Sequence, residues 1–142
     1  MGKVVVKNVL LRNQRDEILL TEGFGSKVRE LRLEMIADTG AVAVSLPQSL
    51  VDQLGLPFER DVNITTSRGE KHPTKLYGGL MVYIGDRKAY TQCLAKPEDA
   101  PLILGQLVFE QIDYVVDCKN QMIYPNPKET DGIMLFEDFS CQ

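Results

Sequence analysis

The order of apolar and polar residues predicts a chain of short β-strands with little helix. Residues 4–11 are rich in β-branched side chains, and residues 28–37 alternate in part and then become wholly apolar. Further extended segments, with turn residues between them, are found at residues 59–66, 71–77, 80–85, 88–95, 102–104, 114–117 and 122–125. About eight short strands are therefore expected, which makes the domain mainly β.

Two segments change to helical spacing. In residues 46–54 the apolar side chains fall on one helical face, Pro47 suits a first helical turn, and Gly55 suits the cap after the last turn. Residues 106–112 predict a second short helix. The polar run NQRDE, residues 13–17, is instead typical of a turn and a loop after the first strand.

Length and charge restrict the class of protein. The chain has 142 residues, 44% of them apolar and 25% charged, which fits one soluble globular domain. The net charge of -4 gives no basic surface pattern, so neither nucleic acid nor a membrane is expected as a partner. No apolar run approaches the roughly 18 residues of a membrane span and no signal-peptide core is visible, so a cytoplasmic protein is expected.

The content of cysteine and histidine limits the chemistry further. The three cysteines, Cys93, Cys118 and Cys141, lack the paired spacing of a zinc site or a disulfide framework and are expected to be reduced thiols. His72 is the single histidine, which disfavours serine–histidine or cysteine–histidine catalysis. No metal and no cofactor are expected, and any catalysis must come from carboxylates.

The position of one carboxylate has no structural explanation in the sequence. Asp38 begins the run Asp-Thr-Gly-Ala at the end of an apolar strand, and a carboxylate buried there costs several kcal/mol unless it is paired or hydrogen-bonded. For the tripeptide alone, the alternative is a turn aspartate that caps a loop. The flanking sequence decides between these two interpretations.

With its flanks, the segment LEMIADTGAVAVSLPQSLVDQLGL, residues 33–56, resembles the active-site segment of retropepsin-like aspartic proteases. The later segment LILGQLVFEQIDYVVD, residues 102–117, resembles the second signature of that fold. The resemblance covers residues 4–127 and is closest to the small bacterial members. It implies a retropepsin-like closed β-barrel, the acid-protease fold, with one lobe per chain and one or two short helices. Residues 1–127 would form this domain and residues 128–142 a tail of uncertain role.

The chemistry of an aspartic protease requires two carboxylates. Held about 3 Å apart they share one proton, so the charged group activates a water while the protonated group polarises the scissile carbonyl. Asp-Thr-Gly occurs once in this chain, so the second copy must come from another subunit. The resemblance therefore predicts a C2 homodimer with its active site on the axis, which hydrolyses a peptide or protein substrate.

The resemblance assigns roles to individual residues. Asp38 is the shared acid and base, and Thr39 hydrogen-bonds across the dimer axis. Gly40 leaves room for the two loops to approach, and Ala41 completes the active-site loop. The residues that would support this loop from beneath are Ile103, Leu104 and Gly105.

The hairpin between the two signatures lies where the family carries its flap. The resemblance implies that Ser67, Arg68 and Gly69 form a mobile tip that closes over the substrate. An ordinary surface hairpin is the alternative, because these residues are common in turns. Gln106 stands where the viral enzymes usually carry a charged residue, so the dimer contacts of this chain are expected to differ from theirs.

Two other functions remain open from the sequence. One is a non-catalytic member of the same fold that mediates dimerisation or peptide binding, and the other is a small β-barrel binding domain. The tail raises a separate question, because residues 133–136 read IMLF and Phe139 follows. It could be a dimer strand, a cover over the substrate cleft or a remnant of expression.

Overall fold

The computed structural model describes residues 3–127, which form nine strands and three short helices. The prediction of a mainly β domain is confirmed. The predicted role of the tail, residues 128–142, lies outside the described residues. In chain order the elements are β1 (Lys3–Asn13), α1 (Gln14–Thr21), β2 (Glu30–Asp38), β3 (Val44–Pro47), α2 (Gln48–Leu54), β4 (Phe58–Thr65), β5 (Lys71–Ile84), β6 (Arg87–Lys96), β7 (Ile103–Leu104), α3 (Gln106–Ile112), β8 (Tyr114–Asp117) and β9 (Met122–Pro125).

Seven strands form one sheet in the order β1-β2-β7-β3-β6-β5-β4. An additional pairing of β1 with β5 closes six of these strands into a ring and leaves β4 on the outside as the partner of β5. The interior of the ring is filled by one continuous apolar cluster, to which α2 and α3 contribute. The largest fully buried side chains of this core are Phe109, Leu11, Met35, Leu46, Leu54, Leu80, Leu104 and Ile112.

Strand β5 takes part in two different pairings because it carries a bulge. Residues 71–77 pair with β4, whereas residues 80–84 pair with β1. The register with β6 shifts between Tyr77 and Leu80, and Gly79 adopts a left-handed φ of 69° there. The chain therefore bends at Gly78 and Gly79, which separates the β4–β5 hairpin from the closed part of the sheet.

The prediction of a loop after the first strand is wrong, because residues 14–21 form helix α1. Asn13 starts this helix: its side-chain oxygen accepts a hydrogen bond from the backbone N–H of Asp16 at 3.0 Å. The Asn13 amide group also donates to the carbonyl of Leu54 at 2.8 Å, which ties α1 to the end of α2. None of the residues of α1 is buried, so the apolar stripe by which a helix is normally predicted is missing.

Both predicted helices are confirmed. α2 ends at Gly55 in the left-handed conformation, as the sequence predicted, and its open N-terminus is capped from a distant loop. There the carboxylate of Glu98 accepts hydrogen bonds from the Ser49 backbone N–H at 2.9 Å and from its hydroxyl. After α3, the extended segments predicted at residues 114–117 and 122–125 are strands β8 and β9, which form a local hairpin as a separate two-stranded sheet, and Ile123 packs against the core.

The ion pair of α1 with the loop before β2 gives a prediction about stability. The side chain of Arg29 hydrogen-bonds the Asp16 carboxylate at 2.9 Å and holds the pKa of that carboxyl below its usual range. Such a group stabilises the fold above its unfolded-state pKa of about 3.9 and loses this effect as the pH falls through the folded-state value. Asp16→Asn is therefore expected to lower the free energy of unfolding by about 0.5–1 kcal/mol at neutral pH, and by less in acid.

Urea denaturation at several pH values measures this difference. Asp61→Asn is the matched control, since Asp61 is exposed and makes no ion pair with any residue between 3 and 127. A gap between wild type and Asp16→Asn that widens as the pH falls would contradict the assignment.

Candidate active site

Asp38 is the last residue of β2, on a loop that passes over strand β7. β2 runs parallel to β7, with Ile36 beside Ile103 and Ala37 beside Leu104. β3, which follows the loop, pairs with β7 from the other side. The short strand β7 thus lies between the two strands that carry the loop, and the loop of residues 38–43 connects them around its end.

The loop is held by its own backbone. The Gly40 N–H donates to the Asp38 carboxylate at 2.9 Å, and the Ala41 N–H donates to the Asp38 carbonyl at 3.0 Å. This tight turn leaves the carboxylate half-buried, while Thr39 and Gly40 are exposed. Asp38 makes no ion pair with any residue between 3 and 127. The carboxylate is therefore partly accessible to solvent.

Gly105 supports the loop from beneath by direct backbone contact. A Cβ atom at this position would overlap the backbone of Val42 and Ala43, although the φ of -87° would suit any residue. The first N–H groups of α3 also face the loop: Gln106 donates to the Ala41 carbonyl at 2.8 Å, and Leu107 donates to the Val42 carbonyl at 3.3 Å. The N-terminus of α3 and Gly105 together fix the position of the loop relative to β7.

The structure brings together the two predicted signatures but not the predicted flap tip. Residues 38–41 and residues 103–105 are in contact through the hydrogen bonds and strand pairs given above. Ser67, Arg68 and Gly69 form the exposed turn of the β4–β5 hairpin, where Gly69 has a φ of 81° and its N–H donates to the Thr66 carbonyl. No hydrogen bond joins this turn to the Asp38 loop within the described chain. The roles predicted for these residues stay predictions.

Two exposed apolar side chains beside the loop were not singled out from the sequence. Val42 is 65% exposed and Leu107 is 45% exposed, and their backbones are hydrogen-bonded to each other. Val42 belongs to the loop itself, and Leu107 projects from α3 while its neighbour Val108 is buried. A sequence cannot separate these two from core residues, since exposure depends on how the loop and α3 pack together.

The base of the β4–β5 hairpin is tied to the body of the domain by side chains. The Phe58 and Tyr77 rings meet edge to face at 5.6 Å, and the Gln48 amide donates to the Tyr77 hydroxyl at 3.1 Å. The side chain of Gln92 hydrogen-bonds the Glu59 carboxylate across the bulge. The hairpin is thus anchored where it leaves the ring, while its turn is free in solvent.

The described residues hold no group of metal-binding side chains. Cys93 is buried, and burial raises the pKa of its thiol to about 12, so this residue has no nucleophilic thiolate at neutral pH. Asp38 lines neither the cavity between α1 and the β5–β6 hairpin nor the cavity lined by Gln48 and Pro73 in the described part of the chain. The candidate site therefore consists of the partly accessible carboxylate of Asp38 on a loop that is held by backbone hydrogen bonds.

Comparison with known proteins adds no assignment. The chain matches no protein-family model, and it has no significant match among the curated proteins. None of the helices in residues 3–127 is long and apolar enough to cross a membrane. The function must therefore be argued from the chemistry of the site and from the resemblance of the two signatures.

The contact at Gly105 gives a second prediction. Gly105→Ala is expected to lower the free energy of unfolding by about 1–3 kcal/mol, because the added methyl group forces the loop away from β7. Amide chemical shifts of residues 41–43 should change with it. Urea denaturation and NMR measure the two effects.

Gly69→Ala serves as the control. Its added methyl group meets nothing within 4 Å, so strain at the left-handed φ is its only cost and the shifts of residues 41–43 should stay as in wild type. A Gly105→Ala protein with wild-type stability and unchanged loop shifts would refute the proposed support.

Proposed function

We propose that the chain is a homodimeric aspartic endopeptidase of the retropepsin-like type. The observation that carries the proposal is the position of Asp38: an accessible carboxylate on a loop whose backbone rests on Gly105 and on the N-terminus of α3. An aspartate that serves only a turn requires no such support, because the hydrogen bond that its carboxylate accepts from the Gly40 N–H already holds the turn. A half-buried carboxylate on a loop held by its backbone suits a catalytic group that must meet a second carboxylate at a defined distance.

The second carboxylate would be Asp38 of another subunit. One Asp-Thr-Gly run in 142 residues supplies half of the pair, and a C2 axis between the two loops places the same group opposite. At about 3 Å the two carboxylates cannot both be ionised, and the pair holds one proton. The exposed Thr39 and Gly40 are then at the contact between the subunits.

The single proton allows acid and base catalysis at one site. The ionised carboxylate takes a proton from a water as the water oxygen attacks the peptide carbonyl carbon, and the protonated carboxyl gives its proton to the carbonyl oxygen. The gem-diol then returns one proton to the pair as the C–N bond breaks, and the leaving amine takes another from it. The pair ends each cycle with one proton, as it began.

The surface around the loop supports association with a second copy. Val42 and Leu107 form a small exposed apolar face next to Thr39 and Gly40, which we call the loop face. Apolar side chains at the centre of an interface contribute more to affinity than rim charges do. An apolar contact at this place also fits the presence of Gln106 where the viral enzymes usually have a charge.

Replacement of the carboxylate tests catalysis. Asp38→Asn is expected to lower the rate of peptide cleavage by roughly 10³-fold or more, since the pair can no longer exchange a proton with water. The measurement is digestion of a diverse peptide mixture across roughly pH 3.5 to 7.5, read by mass spectrometry. The wild-type rate should be bell-shaped in pH, because the pair acts only with one proton bound.

Asp113→Asn is the control, because Asp113 lies at the end of α3 and is expected to leave cleavage unchanged. Internal cuts made by wild type and Asp113→Asn but absent with Asp38→Asn would establish the activity. If wild-type dimer and Asp38→Asn leave the same uncut mixture, the chain is a non-catalytic module of this fold.

The loop face gives a prediction about assembly. Leu107→Asp is expected to raise the dimer dissociation constant by about tenfold or more, because it places a charge in the centre of the proposed interface. Specific activity should fall with it and should recover as the enzyme concentration rises. Sedimentation over a range of concentrations measures the dimer directly.

Leu20→Asp is the matched control. Leu20 is 46% exposed, almost the same as Leu107, but it lies on α1. Equal loss of dimer in both variants, or no loss in either, would show that the loop face is not the interface.

A further inference from the structure

A second set of apolar side chains lies outside the core, on the face of the sheet to which Asp38 belongs. On β2 the side chains of Met35 and Ala37 enter the core, whereas Ile36 between them points to the opposite face and is half-buried. Asp38, two residues further along β2, has the same orientation as Ile36 by the alternation of a strand. The face opposite the core therefore leads to the candidate site.

The strand pairings continue this face away from β2. Ile36 lies beside Ile103 on β7, and Ile103 lies beside Ser45 on β3. Ser45 is in turn beside Leu94 on β6, and Leu94 is opposite Leu76 on β5. Paired residues of neighbouring strands project to the same side of a sheet, so these five form one line, which we call the outer row. None of its four apolar side chains belongs to the core cluster.

Ser45 is the polar member of the outer row. It is only 8% exposed, and its neighbours along β3, Val44 and Leu46, are fully buried in the core. Its hydroxyl makes no hydrogen bond with any residue between 3 and 127. Every fully enclosed side-chain nitrogen and oxygen in these residues has a hydrogen-bond partner, so the Ser45 oxygen is open to solvent. A ligand on the outer row can therefore reach it.

The hydroxyl of Ser45 differs from the other buried polar groups. Three polar side chains are buried in residues 3–127. Asn13 donates to the carbonyl of Leu54, and the Thr91 hydroxyl donates to the carbonyl of Gln92. Ser45 alone of the three lacks such a partner, although an apolar residue would suit its place in a strand between apolar neighbours better. A nearly buried hydroxyl without a partner costs free energy, which a ligand regains when it supplies the hydrogen bond.

Ser45 lies close enough to Asp38 for one peptide to touch both. β3 is two strands from β2, a distance of about 10 Å across the sheet, and Ile36 is about 7 Å from Asp38 along β2. Ser45 and Asp38 are therefore about 12 Å apart, a distance that an extended peptide covers in about four residues. A side chain near the bond held at Asp38 would then meet the Ser45 hydroxyl.

We propose that Ser45 determines substrate specificity by hydrogen-bonding a neutral side chain that carries a hydroxyl or a carboxamide group. A serine hydroxyl both donates and accepts, so it can pair with either group. Ile103 and Leu94 on its two sides suit the apolar part of such a side chain and disfavour a charge. Threonine combines a hydroxyl with a methyl group and meets both conditions. The link to cleavage rests on the proposed function, whereas the contact with the peptide needs no catalysis.

Selection from a peptide mixture tests the contact in the absence of cleavage. The Asp38→Asn protein, which should leave its ligands uncut, is incubated with a mixture of short random peptides, and the retained peptides are sequenced by mass spectrometry. At one position threonine should be retained about tenfold more than valine. Valine has the same shape but leaves the Ser45 hydroxyl unpaired.

Two variants in the Asp38→Asn background identify the hydroxyl. Ser45→Ala should abolish the preference for threonine over valine. Thr91→Val is the matched control, because Thr91 is 7% exposed but lies on the core side of β6, and it should keep the full preference. Ser45→Ala should also unfold at the same urea concentration as its parent, since it loses no hydrogen bond within the described chain.

Three results would overturn this role of Ser45. The first is that the Asp38→Asn protein retains no peptide or shows no preference for threonine. The second is a preference that survives Ser45→Ala, and the third is a lower urea midpoint for Ser45→Ala, which would show that the hydroxyl is bonded inside the chain. Failure of the proposed function has a different signature: peptides retained with the threonine preference but left uncut by wild type would refute catalysis and keep the contact at Ser45.

Discussion

The candidate site depends on a contact between two pieces of backbone. Gly105 touches the main chain of Val42 and Ala43 at a distance that leaves no room for a Cβ atom. This contact joins the end of β7 to the loop that carries Asp38, and the first N–H groups of α3 reach the same loop because α3 begins at the next residue. The absence of a side chain at Gly105 therefore fixes the position of the Asp38 carboxylate, 67 residues earlier in the chain.

The second constraint is closure of the sheet. A ring of six strands leaves few unpaired edges, but it requires one strand to change partners, and β5 does so at its bulge. Gly79 makes the bulge possible, because it adopts a left-handed φ of 69° that other residues rarely take. Residues 71–77 of β5 pair with β4 and not with β1, so the β4–β5 hairpin extends beyond the ring. The closed core and the projecting hairpin thus both depend on the bulge at Gly79.

The sequence predicted those parts of the fold that rest on local patterns. The apolar strand before Asp38, the cap at Gly55 and the turn chemistry of the hairpins are properties of neighbouring residues, and these elements were found with small shifts at their ends. Helix α1 was missed because it has no buried apolar face, and the contacts that join it to the domain, Asn13 with Leu54 and Asp16 with Arg29, link distant residues. The aspartate and the glycine of the candidate site could be named from their motifs. The exposure of Val42 and Leu107 could not, because it depends on the packing of α3 against the loop.

The fold of residues 3–127 and the proposed catalytic site differ in what they require. The core of residues 3–127 is closed, as its largest side chains are fully buried within one chain. The carboxylate of Asp38 is different: it lies half-buried without an ion pair among these residues, beside exposed apolar side chains. Bringing two such groups together opposes like charges, and only the uptake of one shared proton removes that cost. Assembly and protonation of the proposed dimer would therefore be linked, and the proposed contact at the apolar loop face would supply binding energy that does not vary with pH.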